Sequence, residues 1–111
     1  MIAMLAALSA AIAIGASAFG AHGASSPQAA EWLRTGGLYQ LIHAVAIVAL
    51  WQRVTGDGAL WVMLGGSLLF AGTLYAMAVG APRWFGAITP IGGVLMIAGW
   101  LWLAWQLARR G

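Results

Sequence analysis

Four long apolar stretches organise this chain, separated by short runs of polar residues, glycine and proline. A helix needs roughly 20 mostly apolar residues to cross about 30 Å of hydrocarbon. The pattern predicts such spans over about residues 2–21, 37–53, 59–80 and 90–108, the second being the shortest and most polar. Backbone groups in hydrocarbon must be paired internally, so these segments are helices. Nothing alternates with the period of a membrane β-strand. The connections fit. Thr55-Gly56-Asp57-Gly58 reads as a tight turn, and Gly80-Ala81-Pro82-Arg83-Trp84-Phe85-Gly86 joins the third and fourth spans. Thr89 followed by Pro90 reads as a helix start, with a hydroxyl cap and then proline at the first position.

The first connection is longer. Ser25, Ser26 and Pro27 offer a helix start, and Gly36-Gly37 offers a stop. Between them Gln28, Glu31 and Thr35 share a face, which predicts a short amphipathic helix in the membrane interface. A plain ordered loop is the alternative. The expected architecture is an all-α integral membrane protein: one domain over residues 1–111, a four-transmembrane-helix bundle with a short interfacial helix between helices 1 and 2.

Composition makes the membrane reading compulsory. Apolar residue types make up 63% of the chain and charged ones 6%, against about 25% charged in a soluble domain. There are five Arg, one Asp, one Glu and no Lys or Cys. The net charge of +3 is spread along the chain, so no clustered basic patch for nucleic acid is present. The high isoelectric point reflects scarce acids. Met1 to Phe19 contains no Lys or Arg, whereas a signal peptide begins with a basic region. The first span is therefore expected to be retained, with cleavage as the alternative.

Four crossings put both termini on one side, side A, with Arg53, Asp57, Arg109 and Arg110. The opposite side, side B, holds Glu31, Arg34 and Arg83. Three arginines against two is a positive-inside bias of one charge. It assigns side A to the cytoplasm, with dual insertion the alternative. Trp51, Trp61 and Trp105 near side A and Trp32 and Trp84 near side B suit interfacial anchors. Small residues allow close helix approach in lipid. Ala7, Ala11 and Gly15 form one such ridge, extended by Ala6, Ala10, Ala13 and Ser17. Gly65 to Leu74 matches Gly92 to Leu101 at six of ten positions. That is either a trace of an inverted repeat or two packed helices drawing on the same residue types.

Polar residues inside a membrane are costly and mark sites. His22 ends the first span at side B, Tyr39 and Gln40 open the second there with His43 one turn deeper, Tyr75 nears the end of the third, and Thr89 starts the fourth. Tyr39, Gln40 and His43 share a helix face by their spacing. Each has a plain role: Tyr39 and Tyr75 as interfacial anchors, His22 facing water or headgroups, His43 as a neutral hydrogen-bonded tie between helices. The sharper reading is a ligand or proton site. Two His without Cys or an intramembrane carboxylate make too thin a set for a metal. A hydrolytic triad needs an orienting acid, but Glu31 and Asp57 fall on opposite sides of the membrane. No catalytic residue and no cofactor are specified.

Four motifs occur in order: Ala18-Phe19-Gly20-Ala21-His22-Gly23, Tyr39-Gln40-Leu41-Ile42-His43-Ala44, Leu69-Phe70-Ala71-Gly72-Thr73-Leu74-Tyr75 and Ile88-Thr89-Pro90-Ile91-Gly92-Gly93. Together they resemble the family called domain of unknown function 423, which includes bacterial YgdD-like and YwdK-like proteins and the animal transmembrane protein 256. The resemblance covers nearly the whole chain. It implies a four-helix inner-membrane protein of this length and no established activity, substrate or cofactor. The family pattern often has Ser where this chain has Ala71.

Two functions compete. One is a non-catalytic accessory subunit within a larger membrane complex, or a homodimer, with Trp100 and Trp102 deep in the fourth span as contacts for another helix. The other is a binding or transport bundle for a lipid- or quinone-like ligand met by His22, Tyr39, Gln40 and His43. A proton-coupled drug exporter would need an embedded carboxylate, which the spans lack.

Overall fold

A computed structural model describes residues 1–110. The chain forms α1 (Ile2–His22), α2 (Pro27–Leu50), α3 (Gly58–Ala78) and α4 (Thr89–Arg110), with a 3-10 turn at Arg83–Ala87 before α4. All four helices are long and apolar enough to cross a membrane. The principal extents are 48 × 25 × 20 Å. The long dimension matches a bilayer including its headgroup regions, about 40–45 Å.

The helices run up and down, each packed on the next in sequence: α1 on α2, α2 on α3, α3 on α4. The backbones of α1 and α3 also approach, whereas among the described residues those of α1 and α4 do not. α2 and α3 are therefore the inner pair, and α1 and α4 present most of their surface to lipid. Ile2, Ala6, Ile47, Ala59, Leu60, Met63, Leu64 and Leu103 draw all four helices together toward side A. A smaller cluster of Ala29 and Leu33 of α2 and Ala78 of α3, with Ala16 of α1 packed against it, lies toward side B.

Packing in lipid rests on close backbone approach rather than on expulsion of water, and glycine supplies it here. A Cβ on Gly92 of α4 would stand 2.7 Å from the Gly66 carbonyl oxygen and 2.9 Å from the Phe70 Cα of α3. Of the two matching Gly-Gly pairs, Gly66 and Gly92 face each other's helix, while Gly65 and Gly93 look into open space.

The interfacial helix expected between the first two spans does not exist as a separate element. Its residues are the opening turns of α2, which runs unbroken from Pro27 through Gly36 and Gly37 to Leu50. The start was legible: the Ser26 hydroxyl caps the helix by accepting from the Ala29 N–H at 3.0 Å. The stop was not. A break at Gly36-Gly37 would leave backbone groups unpaired in hydrocarbon, which costs more than glycine's weak helix propensity. The pair serves packing instead: Gly36 lies under the Tyr75 ring and Ala71 of α3, and Gly37 against Ala13 and Ser17 of α1.

Thr89 is likewise not a hydroxyl cap. It is buried, and its side chain turns to the Phe85 carbonyl and to Thr73. After α3 the chain turns at Gly80, whose φ of +110° suits glycine.

Candidate functional site

The extension of α2 moves its polar residues. Tyr39 lies midway along the 24-residue helix, about 18 Å from its first residue at 1.5 Å per residue. Tyr39, Gln40 and His43 therefore sit in the middle of the molecule, not at its side B end. Their shared face is split between two neighbours.

On one edge, Gln40 is only 1% exposed. Its amide nitrogen donates to the Ser9 hydroxyl of α1 at 2.8 Å, and its amide oxygen accepts from the Tyr75 hydroxyl of α3 at 2.6 Å. A single glutamine thus ties three helices. On the other edge, His43 accepts from the Trp100 indole N–H of α4 through Nε2 at 2.9 Å. An indole nitrogen only donates, so Nε2 carries no proton. The proton is then on Nδ1, which donates to the Tyr39 carbonyl at 2.6 Å. The two rings meet edge-on, with centroids 5.8 Å apart. This bond bridges α2 and α4. A third tie joins α3 to α4, where the Thr73 and Thr89 hydroxyls are 2.6 Å apart.

Among the described residues, the six buried polar side chains are Ser9, Gln40, His43, Ser67, Thr73 and Thr89, and each carries a hydrogen bond. His22 stands apart, exposed at the end of α1. The candidate residues named from sequence thus separate into a Gln40–Tyr75 pair, a Tyr39–His43 pair and Thr89, with His22 alone. Ser9, Thr73 and Trp100 complete them. The depth of Ser9 and Trp100 in their spans was visible in the sequence, but no spacing rule links residues 31 or 57 positions apart, as Ser9–Gln40 and His43–Trp100 are.

Where α2 and α4 diverge over α3, a lateral groove of about 400 Å³ opens. It is lined by Tyr39, His43, Phe70, Gly93, Met96, Ile97 and Trp100. Edge-to-face contact of Tyr39 with Phe70, centroids 5.1 Å apart, frames one end, and His43 with Trp100 the other. Gly93 leaves the α4 wall open, since a Cβ there would meet nothing within 4 Å. Among the described residues no three His, Cys, Asp or Glu side chains cluster closely enough to hold a metal ion.

Four apolar helices with polar side chains bonded inward define a small all-α integral membrane protein. The chain belongs to a protein family of unknown function, DUF423, the match covering residues 16–93. It is 38% identical to a UPF0382 membrane protein of Staphylococcus saprophyticus over 90% of each chain. It is 36% identical to the UPF0382 membrane protein YwdK of Bacillus subtilis, over 88% of each. The UPF0382 inner membrane protein YgdD of Escherichia coli K12 is 36% identical over 97% of this chain and 92% of its own. No solved structure matches. The resemblance carried by the four motifs is thereby borne out, and the family carries no assigned activity.

Proposed function

We propose that this protein is a non-catalytic membrane component that acts by associating with another membrane protein or a second copy of itself. The observation that supports this reading is the use of the buried polar groups. Ser9, Gln40, His43, Tyr75 and Trp100 bond to one another across helices, holding a defined arrangement, and none is a free nucleophile aimed into a cavity. The outer helices meanwhile offer lipid-facing surface. On α1 the ridge Ala7, Ala11 and Gly15 is exposed, and a Cβ on Gly15 would meet nothing within 4 Å. Such ridges admit close approach of another helix. Native mass spectrometry after gentle extraction from the host membrane is the test. A stoichiometric partner or dimer is expected, and its loss in Gly15→Leu would place the contact on α1. A protein recovered always alone would sink the reading.

A second reading is favoured by the groove. Its volume, apolar lining and lateral opening suit a lipid- or quinone-like molecule, with Tyr39 and His43 at hand and Gln40 and His22 out of reach. Gly93→Leu fills the groove without touching the interior ties. A small bound mass present in the wild type and lost in Gly93→Leu would support it. A bound mass indifferent to that substitution would refute it.

A further inference from the structure

Three of the five arginines gather at side A, and the association reading gives them no task. Arg53 follows α2, and Arg109 and Arg110 close α4. The Arg110 guanidinium reaches across to donate to the Arg53 backbone carbonyl, which draws two cationic residues together. The Arg109 guanidinium lies over the Trp105 ring, 4.7 Å from its centroid. Gln106 donates to the Gly56 carbonyl at 3.2 Å and joins α4 to the turn before α3. These residues enclose a cleft of about 240 Å³ lined by Thr55, Trp105, Gln106, Arg109 and Arg110.

Among the described residues, no acidic side chain lines the cleft. Asp57 is the acidic side chain at this end, and its carboxylate accepts from the Trp61 indole at 3.1 Å. Among the described residues the one ion pair is Arg34 with Glu31, at the other end. The carboxyl ends of α2 and α4 each contribute roughly half a negative charge. Among the described residues, those ends and Asp57 together do not offset three guanidiniums. A guanidinium stacked on an aromatic face keeps its edge N–H groups free, in the fork that fits a phosphate. Trp105 marks the boundary between water and hydrocarbon, so the cleft opens where lipid headgroups lie. Below it Leu101 and Trp105 are exposed on the same helix, available to acyl chains.

We propose that this cleft binds the phosphate of an anionic phospholipid, with Arg109 and Arg110 as charged donors and the Thr55 hydroxyl beside them. The test is native mass spectrometry of the whole chain released from nanodiscs of mixed phosphatidylglycerol and phosphatidylcholine. Preferential retention of phosphatidylglycerol is expected. Each basic residue near an anionic surface is worth about a fivefold change, so Arg109→Gln with Arg110→Gln is expected to lower retention roughly 30-fold. Arg34→Gln with Arg83→Gln removes equal charge at side B and is expected to keep it. Equal retention of both lipids, or equal loss in both double variants, overturns the proposal. So does a phosphate adduct formed in phosphatidylcholine nanodiscs bathed in inorganic phosphate, which would make the site one for a soluble anion.

Discussion

Gln40 and His43 hold neighbouring positions on α2 and perform different work. Gln40 uses both ends of its amide, one toward α1 and one toward α3. Replacing it with Leu keeps the volume and strands the Ser9 and Tyr75 hydroxyls in an apolar interior. Interhelical hydrogen bonds in membranes are individually modest, so a loss of about 1–2 kcal/mol is expected for Gln40→Leu. Unfolding in mixed micelles would measure it, and an unchanged midpoint would show that the triad contributes nothing. His43 makes a sharper statement, because a donor that cannot accept fixes its tautomer. Imidazole ¹⁵N chemical shifts are expected to report a proton on Nδ1 and none on Nε2 in the wild type. Trp100→Phe keeps an aromatic ring and removes the N–H, so it should release that constraint. A wild-type spectrum with Nε2 protonated would mean that the α2–α4 tie does not form.

At the scale of elements, the glycines of α3 and α4 divide into those that carry the packing and those that do not. Gly66 and Gly92 sit where a methyl would collide with the facing backbone, and Gly65 and Gly93 where it would meet nothing. Backbone cannot swing aside as a flexible side chain can. Gly92→Ala is therefore expected to cost about 1–3 kcal/mol through forced separation of the helices. Gly65→Ala should be neutral or slightly stabilising, since alanine favours helix over glycine. Thermal unfolding of the two variants side by side checks this, and equal effects would contradict the packing described here. The repeated Gly-Gly pattern of the two helices is explained by this contact, with one glycine of each pair turned inward. In α2 the paired glycines play the same part in the middle of a helix. A sequence rule that treats Gly-Gly as a stop assumes water is present to satisfy the opened backbone.

At the scale of the molecule, an even number of spans places both termini at the end where Arg53, Arg109 and Arg110 lie. The single-charge excess makes a cytoplasmic location of that end the expectation to test. Reporter fusions at the two termini should agree with each other and show a cytoplasmic location. Termini on opposite sides would refute the four-span topology, and both in the periplasm would reverse the orientation. The open arrangement, with α1 and α4 apart and largely lipid-facing, leaves surface for partners that a closed bundle would bury.

The four spans, a polar connection between the second and third, the Ser26-Pro27 helix start and the family motifs were readable along the chain. Hydrocarbon explains why: it forces every spanning segment to complete its own backbone hydrogen bonds, so length and apolarity suffice to find one. Spacing also put Tyr39, Gln40 and His43 on one face. It could not say which helix each would meet. Whether Gln40 finds Ser9 and Tyr75, whether His43 finds Trp100, and which glycine of each pair turns inward depend on the rotation and register of neighbouring helices. Those are set by the mutual fit of small residues on two surfaces at once, a property of no single segment. The tertiary structure alone therefore decided which helices the polar residues tie together, and that a groove and an arginine-lined cleft are left open around them.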